Sequence, residues 1–485
     1  MNARITAIVI GATIAIASVA GAAWWFSHDV APQRVYAAFT LVAPKSVAES
    51  EVVARALVPV DKGCPKVKTY GTNGYIEIAM SPRLPGPNAA PAFSEIVSCS
   101  ASLPVGLTSA SINGHDIPAS MPSSINKIGL FADSGCRLDT YKVQNCNDYN
   151  KWPLAQIAGR IAEEKPDLII DPGDYIYREI ACPEKWVNDC GGTIGPMAGM
   201  PFSETDLGWV QEFFQPAAAL FPVAPIAFLR GNHEDCGRAG NGWFLYLDPF
   251  PGTETLCDPY ITEDGLGGAV PQTTPAWSFD AKVSEGRTLR VAMVDSAYGT
   301  DKELTAWIDK QRLIYQQAAD LTKPQPGVES WLTTHRPVFA LISSTLLPKN
   351  NPLVDPWTSD GQMIASYGLL GNYDMVLSSH DHDAQVTQIP GQPAAVILGN
   401  GGALLEPATG YDLPPYGPLA HMDGTPMVPS IPPYPNASFL WTNVQYGYAI
   451  ATPNARPGAW TITQFDYDGT RSATCGLAAR TISCN

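Results

Sequence analysis

Five short motifs contain side chains that could bind metal ions. Together they supply carboxylate, phenolate, amide and imidazole groups. The motifs are Asp133-Ser134-Gly135, Gly173-Asp174-Tyr175-Ile176-Tyr177, Gly231-Asn232-His233-Glu234, Leu332-Thr333-Thr334-His335 and His380-Asp381-His382. A mixed donor set of this kind suits a pair of hard-to-borderline transition metals better than it suits one metal. The sequence therefore predicts a dinuclear hydrolytic site.

The positions of the histidines strengthen this hypothesis. The chain has seven histidines, and four of them lie within the motifs. These four are His233, His335, His380 and His382; the other three are His28, His115 and His421. A single histidine is more often a satisfied core or surface residue, but the ordered set favours a metal site.

Short apolar runs precede the motifs and predict the strands that position them. The runs are 128–132, 168–170, 226–229, 291–294, 331–334, 375–378 and 395–398. Helical candidates lie between them, at 152–164, 206–220 and 301–321. Alternation of buried strands with amphipathic helices indicates an α/β layered domain, in which ligands gather beyond the carboxyl ends of strands. Ligands that are distant in sequence can therefore converge on one edge of the sheet.

The pattern changes along the chain in a way that predicts separate domains. Residues 34–125 contain short apolar alternations broken by Gly and Pro, and they are predicted to form a small accessory β domain. The catalytic domain is predicted to span 126–470, followed by a cysteine-containing segment at 471–485. The Pro- and Gly-rich stretch 407–435 is predicted to be a long loop.

Composition and charge exclude two classes of protein. Apolar residues make up 45% of the chain and charged residues 16%, which is typical of a folded protein and excludes global disorder. The 30 Lys and Arg residues against 46 Asp and Glu residues give a formal net charge of −16. An acidic surface repels the phosphate backbone of nucleic acids, so no nucleic-acid partner is expected.

The N-terminus is predicted to carry an export signal. Residues 5–26 form an uncharged apolar run that ends in the aromatic residues 24–26, and the run is long enough to span a bilayer. A signal peptide cleaved at Ser18-Val19-Ala20 or Ala20-Gly21-Ala22 is the alternative. The length of the run favours an uncleaved signal anchor within residues 1–33. In either case the rest of the chain is predicted to be periplasmic or extracellular, with a membrane tether through the apolar run if the segment is kept.

Ten cysteines support export independently. An even number of cysteines in an exported chain predicts disulfides, whereas cysteine-ligated zinc would need close spacings such as Cys-x2-Cys, which do not occur in the sequence. The sequence does not prove the connectivity. Nearest-neighbour pairing would join Cys64 with Cys99, Cys136 with Cys146, Cys182 with Cys190, Cys236 with Cys257 and Cys475 with Cys484.

The order and setting of the motifs resemble the calcineurin-like metallophosphoesterases, and more narrowly their purple acid phosphatase branch. The resemblance covers roughly residues 126–402. That branch carries Asp-x-Gly, Gly-Asp-x-x-Tyr, Gly-Asn-His-Asp/Glu, Val-x-x-His and Gly-His-x-His. Gly135 stands where most metallophosphoesterases have a ligand histidine, and Tyr177 stands where the purple branch has its tyrosinate ligand. Three departures, none of which removes a donor, are Ala132, Leu332 and Ser379.

This resemblance implies a fold and a pair of metals. The fold is an α/β, four-layer sandwich of mixed sheets flanked by helices, with a small N-terminal β domain. The metals are Fe(III) and a divalent partner such as Fe, Zn or Mn, because a phenolate is a hard, anionic donor that favours Fe(III). The ferric ion would be held by Asp133, Asp174, Tyr177 and His382. Asp174 would bridge, and the divalent site would be completed by Asn232, His335 and His380.

The resemblance also implies the chemistry of the site. Two metals held roughly 3.5 to 4 Å apart clamp a phosphoryl group, generate hydroxide near neutral pH or below and stabilise the leaving oxygen. His233 is predicted to donate a proton or position the phosphate, with orientation of a metal ligand as the alternative role. Arg137, Arg238 and Arg336 flank motifs and are candidates for phosphate contact, as is Arg230. Each arginine alone is more often a structural or surface residue.

The predicted function is an exported phosphoric ester hydrolase, of the acid phosphatase type, that acts on a small phosphorylated substrate. A phosphodiesterase or nucleotidase with the same metal pair is the nearest alternative. The alkaline phosphatase/phospholipase D-like group shares a Gly-Asp-Tyr-Ile-Tyr segment, but the first and third motifs fit purple acid phosphatases better. A catalytically silent surface-binding module is the alternative from another class. The intact set of seven ligands argues against it, and no stretch of sequence specifies the leaving group.

Overall fold

The computed structural model describes most of the chain after residue 33. The described ranges are 34–46, 49–72, 74–195, 204–257, 272–283, 286–298, 305–340, 364, 367–405 and 438–485. The predicted export segment at 5–26 and the predicted loop at 407–435 lie outside these ranges. Among the described helices, none is both long enough and apolar enough to span a bilayer.

The described strands form three sheets. In chain order the strands are β1 (Ala37–Ser46), β2 (Glu49–Pro59), β3 (Lys66–Gly71), β4 (Gly74–Ala79), β5 (Ser81–Arg83), β6 (Ile96–Leu103), β7 (Leu107–Ile112), β8 (His115–Ile117), β9 (Ile128–Leu130), β10 (Leu168–Asp171), β11 (Ile226–Phe228), β12 (Trp277–Lys282), β13 (Thr288–Val294), β14 (Val328–Thr334), β15 (Met375–Ser378), β16 (Ala384–Gln388), β17 (Ala394–Leu398), β18 (Ser438–Asn443), β19 (Gly447–Pro453), β20 (Ala459–Asp466), β21 (Arg471–Ala478) and β22 (Thr481–Cys484).

Helices are fewer and mostly short. The α-helices are α1 (Leu154–Glu164), α2 (Val187–Cys190), α3 (Asp206–Trp209), α4 (Gly240–Tyr246) and α5 (Thr305–Leu321). The 3₁₀ helices are Val60–Lys62, Glu184–Trp186, Pro216–Leu220 and Asn232–Glu234, and a π-helical turn spans Val210–Phe214.

Both large sheets are mixed. The larger has the order β22-β21-β20-β19-β9-β10-β11-β1-β2-β6-β5, and the second has the order β12-β13-β14-β15-β17-β16-β18. Neighbours run parallel from β9 to β1 in the larger sheet, where Ile170 lies opposite Leu130 and Ala227. They also run parallel from β13 to β17 in the second sheet. The remaining neighbours in each sheet are antiparallel.

The two large sheets stack between helices and make four layers. Successive residues of a strand point to opposite faces, so a strand that is buried on both faces is apolar throughout. In β10, Leu168 and Ile170 enter the core between the two sheets, whereas Ile169 enters a core shared with α1. In β13, Met293 faces the core between the sheets and Val294 faces the core under α5. The predicted α/β layered fold is therefore confirmed.

The predicted secondary structure agrees closely with the described elements. The seven apolar runs coincide with β9, β10, β11, β13, β14, β15 and β17, and the first and last helical candidates are α1 and α5. The candidate at 206–220 is helical but interrupted: α3 passes into the π-helical turn and then into a 3₁₀ helix. Pro216 begins that 3₁₀ helix, and a proline cannot donate a hydrogen bond to a preceding turn.

Residues 34–125 divide between two sheets. Strands β1, β2, β5 and β6 belong to the largest sheet, where Leu41 of β1 pairs in parallel with Ile226 of β11. Strands β3, β4, β7 and β8 form the small third sheet. The segment 471–485 forms the hairpin β21–β22 at one edge of the largest sheet. The domain boundaries themselves stay a prediction.

Five disulfides pair the ten cysteines in the predicted nearest-neighbour pattern. They are Cys64–Cys99, Cys136–Cys146, Cys182–Cys190, Cys236–Cys257 and Cys475–Cys484. No cysteine is free. Such a set is typical of secreted or extracellular proteins, because disulfides persist in oxidising compartments.

Candidate metal centre

The five motifs meet where the two large sheets end. The first three follow β9, β10 and β11, which are adjacent in the larger sheet. The fourth ends β14, so that His335 comes directly after the strand, and the fifth follows β15, which is adjacent to β14 in the second sheet. Because neighbouring parallel strands end on the same side, their following loops lie together. The two stacked sheets thus place the loops of all five motifs around one centre.

Three of the candidate ligands have strained backbone. Asp133 has a φ of 53°, Asp174 of 65° and His380 of 75°. Non-glycine residues avoid this left-handed region, and residues that are held there cluster at functional sites. The surrounding loops therefore fix these three side chains in directions that a relaxed turn would not give.

Gly231 allows the second and third motifs to touch. A Cβ atom on Gly231 would lie 2.0 Å from Oδ1 of Asp174, which is closer than any side chain allows. The bare backbone instead lets the backbone N–H of His233 donate to Asp174 Oδ1 at 2.8 Å. The glycine before Asn232 is thus required by the close approach of the Asp174 loop.

The first group of ligand atoms surrounds the Tyr177 hydroxyl. Its oxygen lies 2.7 Å from Asp133 Oδ1, 2.7 Å from Asp174 Oδ2 and 2.9 Å from His382 Nε2. His382 Nε2 is also 3.5 Å from Asp133 Oδ1. All four side chains are buried. Every residue predicted to hold the ferric ion is therefore in this group.

The second group surrounds the side-chain oxygen of Asn232. That Oδ1 atom lies 3.0 Å from His335 Nε2 and 2.6 Å from His380 Nδ1. His335 Nε2 is in turn 3.2 Å from Asp174 Oδ2. Asp174 therefore belongs to both groups, which is the arrangement expected of a bridging carboxylate.

The described residues include two sets of three in which the ligand atoms of a set all lie within 4.8 Å of one another. One set is Asp174, His335 and His380, and the other is Asp133, Asp174 and His382. They share Asp174 and differ in every other member. The geometry is that of a candidate dinuclear centre.

The charges of the buried groups explain why cations fit here. Burial, reinforced by the charge of Asp174, raises the pKa of Asp133 well above its ordinary value. Burial works in the same direction on Asp174, but His335 and His233 hold its pKa well below the ordinary range. Burial and the two carboxylates raise the pKa of Tyr177 well above its ordinary value. A second carboxylate and a phenolate can ionise together here only beside compensating positive charge.

The hydrogen-bond directions in the first group lead to the same conclusion. His382 Nδ1 lies 2.8 Å from the carbonyl oxygen of Leu404, so Nδ1 carries the proton and Nε2 points its lone pair at Tyr177. The Tyr177 hydroxyl has one proton and faces three acceptor atoms. Lone pairs on these atoms are better satisfied by a bound cation than by the single proton of the phenol.

His335 is oriented in a similar way. Its Nδ1 lies 3.1 Å from the carbonyl oxygen of Pro172 and 2.9 Å from the Ser379 hydroxyl, and its Nε2 faces the centre. Partners of this kind fix the tautomer and direction of a metal-binding histidine. Ser379 is one of the departures from the family pattern, and here its hydroxyl contacts a candidate ligand.

Glu234 fixes the loop that carries Asp174 and Tyr177. Oε1 accepts hydrogen bonds from the backbone N–H groups of Tyr175 and Ile176, and Oε2 accepts from those of Asp174 and Gly231. The sequence placed Glu234 in the third motif, but its partners are backbone groups of another loop, so only the structure shows what it does.

The sequence model of calcineurin-like phosphoesterases matches residues 127–384, which is slightly more than half of the 485 residues. The chain belongs to the calcineurin-like phosphoesterase family. It is therefore a metal-dependent phosphoesterase by family, as the motifs predicted. None of the curated proteins matches the chain.

Solved structures similar to this phosphoesterase are distant in sequence. PhoD is 11% identical, with 93% of this chain and 91% of PhoD covered and a TM-score of 0.51. Purple acid phosphatase PPD1 from seeds of yellow lupin (Lupinus luteus) is 14% identical, with 92% of this chain and 74% of PPD1 covered and a TM-score of 0.48. A dimetal phosphatase from Danio rerio is 10% identical, with 74% of this chain and 100% of that phosphatase covered and a TM-score of 0.36. At 11% identity the PhoD likeness shows a shared fold.

His233 lies against the metal centre of this phosphoesterase. Its ring centroid is 3.9 Å from that of Tyr177, at an interplanar angle of 32°. Burial lowers the pKa of His233 well below its ordinary value; Asp174 opposes this, and Arg238, His382 and Arg137 add to it. The charges of Arg137 and Arg238 therefore act on the pKa of His233 in the same direction as burial.

The four candidate arginines have different surroundings. Arg137 Nε donates to Asp139 at 2.7 Å, Arg238 Nε lies 3.8 Å from Asp235, and Arg336 Nη1 lies 3.3 Å from His380 Nε2. These three are partly exposed. Arg230 is buried and donates to Asp295 at 2.6 Å and 3.2 Å. Arg230 is therefore a structural residue rather than a phosphate contact.

Residues 399–403, which follow β17, also reach the centre. The backbone N–H of Gly401 donates to the carbonyl of Ala132 at 2.9 Å, and that of Ala403 donates to the carbonyl of Asp133 at 2.7 Å. This glycine-rich segment thus lies against the first motif and holds its backbone.

Proposed function

We propose that the protein is an exported phosphomonoesterase of the purple acid phosphatase type. The observation that carries this proposal is the Tyr177 hydroxyl oxygen, which lies within 2.9 Å of Asp133, Asp174 and His382 side chains. A phenolate is a hard, anionic donor that favours Fe(III). The ferric ion would be held by these four residues, and a divalent Fe, Zn or Mn ion by Asp174, Asn232, His335 and His380.

The chain supplies the site with fixed charge, fixed direction and a proton carrier. When bound, the two metal ions would polarise the phosphoryl group and activate water. Asp133 and Asp174 supply the negative charge that holds the ions, and Glu234 holds the backbone of Asp174 in place through two amide groups on each carboxylate oxygen. The strained backbone of Asp133, Asp174 and His380 limits rearrangement when substrate enters.

His233 is the proposed proton donor to the leaving oxygen. Its ring packs against Tyr177, and its backbone N–H donates a hydrogen bond to Asp174. An anionic phosphate beside the ring would raise the pKa of the imidazole, opposing the effect of burial, and favour the protonated form. Binding of substrate would thus prepare the donor.

Replacement of His233 by alanine is expected to lower kcat by about 10² to 10⁴-fold, because a positioned acid contributes an effect of this size. Metal content should stay at the wild-type value, since the ring is not a candidate ligand. The measurement is steady-state hydrolysis together with metal analysis. His115→Ala, at an exposed histidine in β8, is the control. Unchanged turnover in His233→Ala would remove the proposed role.

Arg137, Arg238 and Arg336 are proposed to contact the phosphate oxygens. Two of them lie in loops closed by disulfides: Arg137 follows Cys136, and Arg238 lies two residues after Cys236. Their side chains are 20% and 21% exposed, so they are partly accessible to solvent. A planar guanidinium on a fixed loop suits bidentate binding of phosphate.

Loss of these two disulfides is expected to weaken substrate binding. The variants Cys136→Ser/Cys146→Ser and Cys236→Ser/Cys257→Ser should each raise KM about tenfold. Without the disulfide the arginine is no longer held in position, and ordering it when substrate binds costs entropy. The matched control is Cys475→Ser/Cys484→Ser, whose disulfide joins β21 to β22, at the edge of the sheet and three and four strands from β9. An equal rise in KM in the control would mean that the effect is general loss of stability.

The proposed activity is tested by hydrolysis of p-nitrophenyl phosphate and bis-p-nitrophenyl phosphate across pH, with metal analysis of the purified full chain. The monoester should be cleaved faster, with activity extending to acidic pH, because a trivalent ion lowers the pKa of water strongly. Preference for the diester would favour a phosphodiesterase or nucleotidase on the same site. Cleavage of neither by metal-loaded protein would favour a silent binding module.

Export is the other part of the proposal. The five disulfides support it, and residues 5–26 are the proposed signal, either cleaved or kept as a membrane tether. Fractionation of cells that express the full chain tests this, because a tethered protein stays with the membrane and a cleaved one is recovered in the soluble exported fraction. Recovery in the cytosol would contradict export.

A further inference from the structure

The carboxylate of Glu212 joins the loops of the first two motifs. Glu212 is fully buried and lies in the π-helical turn Val210–Phe214. Its Oε1 atom accepts a hydrogen bond from the backbone N–H of Cys136 at 2.9 Å and another from that of Tyr177 at 2.8 Å. One oxygen atom thus fixes the loop after Asp133 and the backbone of Tyr177 itself.

Gly135 provides the space for this contact. A Cβ atom at that position would lie 2.7 Å from Glu212 Oε1, 2.8 Å from Tyr177 Cδ2 and 2.5 Å from the carbonyl oxygen of Tyr175. All three distances are shorter than side chains tolerate. The absence of a side chain at Gly135 is therefore linked to the presence of both Glu212 and Tyr177.

The backbone around Glu212 is itself unusual. The N–H of Gln215 donates to the carbonyl of Val210 at 2.9 Å, which is the five-residue spacing of a π helix. Such a turn accommodates one extra residue and changes the direction of the side chains on either side, and it recurs at functional sites. The π turn interrupts the helical segment where the chain directs Glu212 at the two loops.

Arg178 lies on the other side of the carboxylate. Its Nε atom is 3.2 Å from Glu212 Oε2, and its guanidinium lies 5.4 Å from the Trp152 ring centroid. The Trp152 indole N–H donates to the carbonyl of Ser134 at 2.9 Å. The ion pair therefore belongs to a buried network that also holds the first motif.

We propose that Glu212 is a positioning residue for the metal centre, which directs the Tyr177 phenol at Asp133, Asp174 and His382. The inference rests on the proposed function only in that Tyr177 is taken as a metal ligand. The alternative is that Glu212 merely neutralises Arg178. The positioning role requires that Oε1 accept hydrogen bonds. Neutralisation of Arg178 requires only the negative charge of the carboxylate.

The test compares three changes at Glu212 in the full chain. Glu212→Gln can keep the acceptor and removes the charge, whereas Glu212→Ala removes both. Arg178→Met/Glu212→Met removes the acceptor together with the buried charge of Arg178, and such a replacement of an ion pair is often tolerated by the fold. Glu204→Ala is the matched control, because Glu204 is equally buried and also accepts from a backbone N–H, that of Gly242 at 2.7 Å.

Two measurements are made on each variant. Hydrogen exchange of peptides containing Cys136 and Tyr177 should become about tenfold faster in Glu212→Ala and in the double methionine variant, since the two N–H groups lose their acceptor. Affinity for ferric ion, followed by its absorption band with tyrosinate, should fall about 10- to 100-fold. Glu212→Gln and the Glu204 control should remain near the wild type in both.

Each outcome decides for or against the positioning role. Exchange that is unchanged in both acceptor-free variants would overturn it, and so would a double methionine variant that matches the wild type while Glu212→Ala is impaired, since the unpaired charge of Arg178 would then be what matters. A wild-type protein without a tyrosinate absorption band would instead overturn the proposed metal assignment. The exchange measurement would still decide the role of Glu212, because it follows the backbone amides directly.

Discussion

Replacement of Asp174 by asparagine is expected to remove at least one metal ion and to lower kcat by more than about 10³-fold, since loss of a single transition-state donor already costs about 10² to 10³. Asp174 is the one residue in both candidate sets, with Oδ2 2.7 Å from the Tyr177 hydroxyl and 3.2 Å from His335 Nε2. An amide keeps the shape but not the charge, and a neutral amide bridges two cations poorly. The measurements are metal stoichiometry and hydrolysis of p-nitrophenyl phosphate.

Asp171→Asn is the matched control for this prediction. Asp171 lies three residues before Asp174 and is equally buried, but it belongs to neither set. Burial raises the pKa of Asp171 well above its ordinary value, which favours the neutral acid, so an amide there changes the charge less than it does at Asp174. We expect wild-type metal content and turnover within about threefold. An active, metal-replete Asp174→Asn protein would contradict the dinuclear assignment.

Much of the fold could be predicted because the buried strands are apolar on both faces. The run 291–294 of β13 contributes Val291 to the core between the sheets and Val294 to the core under α5, so no polar residue interrupts it. The helical segment 206–220 was harder. Its π turn directs the Glu212 carboxylate at the backbone N–H groups of Cys136 and Tyr177, which lie in the loops of two motifs distant in sequence.

The candidate ligands could be identified because metal binding constrains residue type, spacing and order at once. The residues that hold them could not. Glu234 and Glu212 bind backbone N–H groups, which every residue has, so no sequence pattern identifies their partners. The arginines show the same limit: Arg230 and Arg336 each adjoin a motif, but only the position of Asp295 in the fold makes Arg230 structural.

Replacement of Tyr177 by phenylalanine is expected to separate the purple acid phosphatase type from other members of the family. The variant keeps the ring that packs on His233 and loses the oxygen that faces Asp133, Asp174 and His382. If that oxygen binds Fe(III), the visible absorption of the protein should disappear. Activity should fall at least about 100-fold, because even a residue that only orients a ligand contributes up to that amount.

Tyr175→Phe distinguishes this effect from the loss of any buried hydroxyl in the same motif. The Tyr175 hydroxyl donates to the carbonyl of Leu229 at 2.9 Å and lies 3.3 Å from that of Asp171, and the residue is as buried as Tyr177. Its loss should cost about 1 kcal/mol of the free energy of unfolding and leave the absorption band intact. A Tyr177→Phe protein that keeps both its colour and its turnover would mean that the phenol is only a hydrogen-bond donor to the carboxylates. The family assignment would stand, but the coloured ferric site would have to be formed by other residues, because a pair of divalent ions held by carboxylates, imidazoles and an amide would give no tyrosinate band.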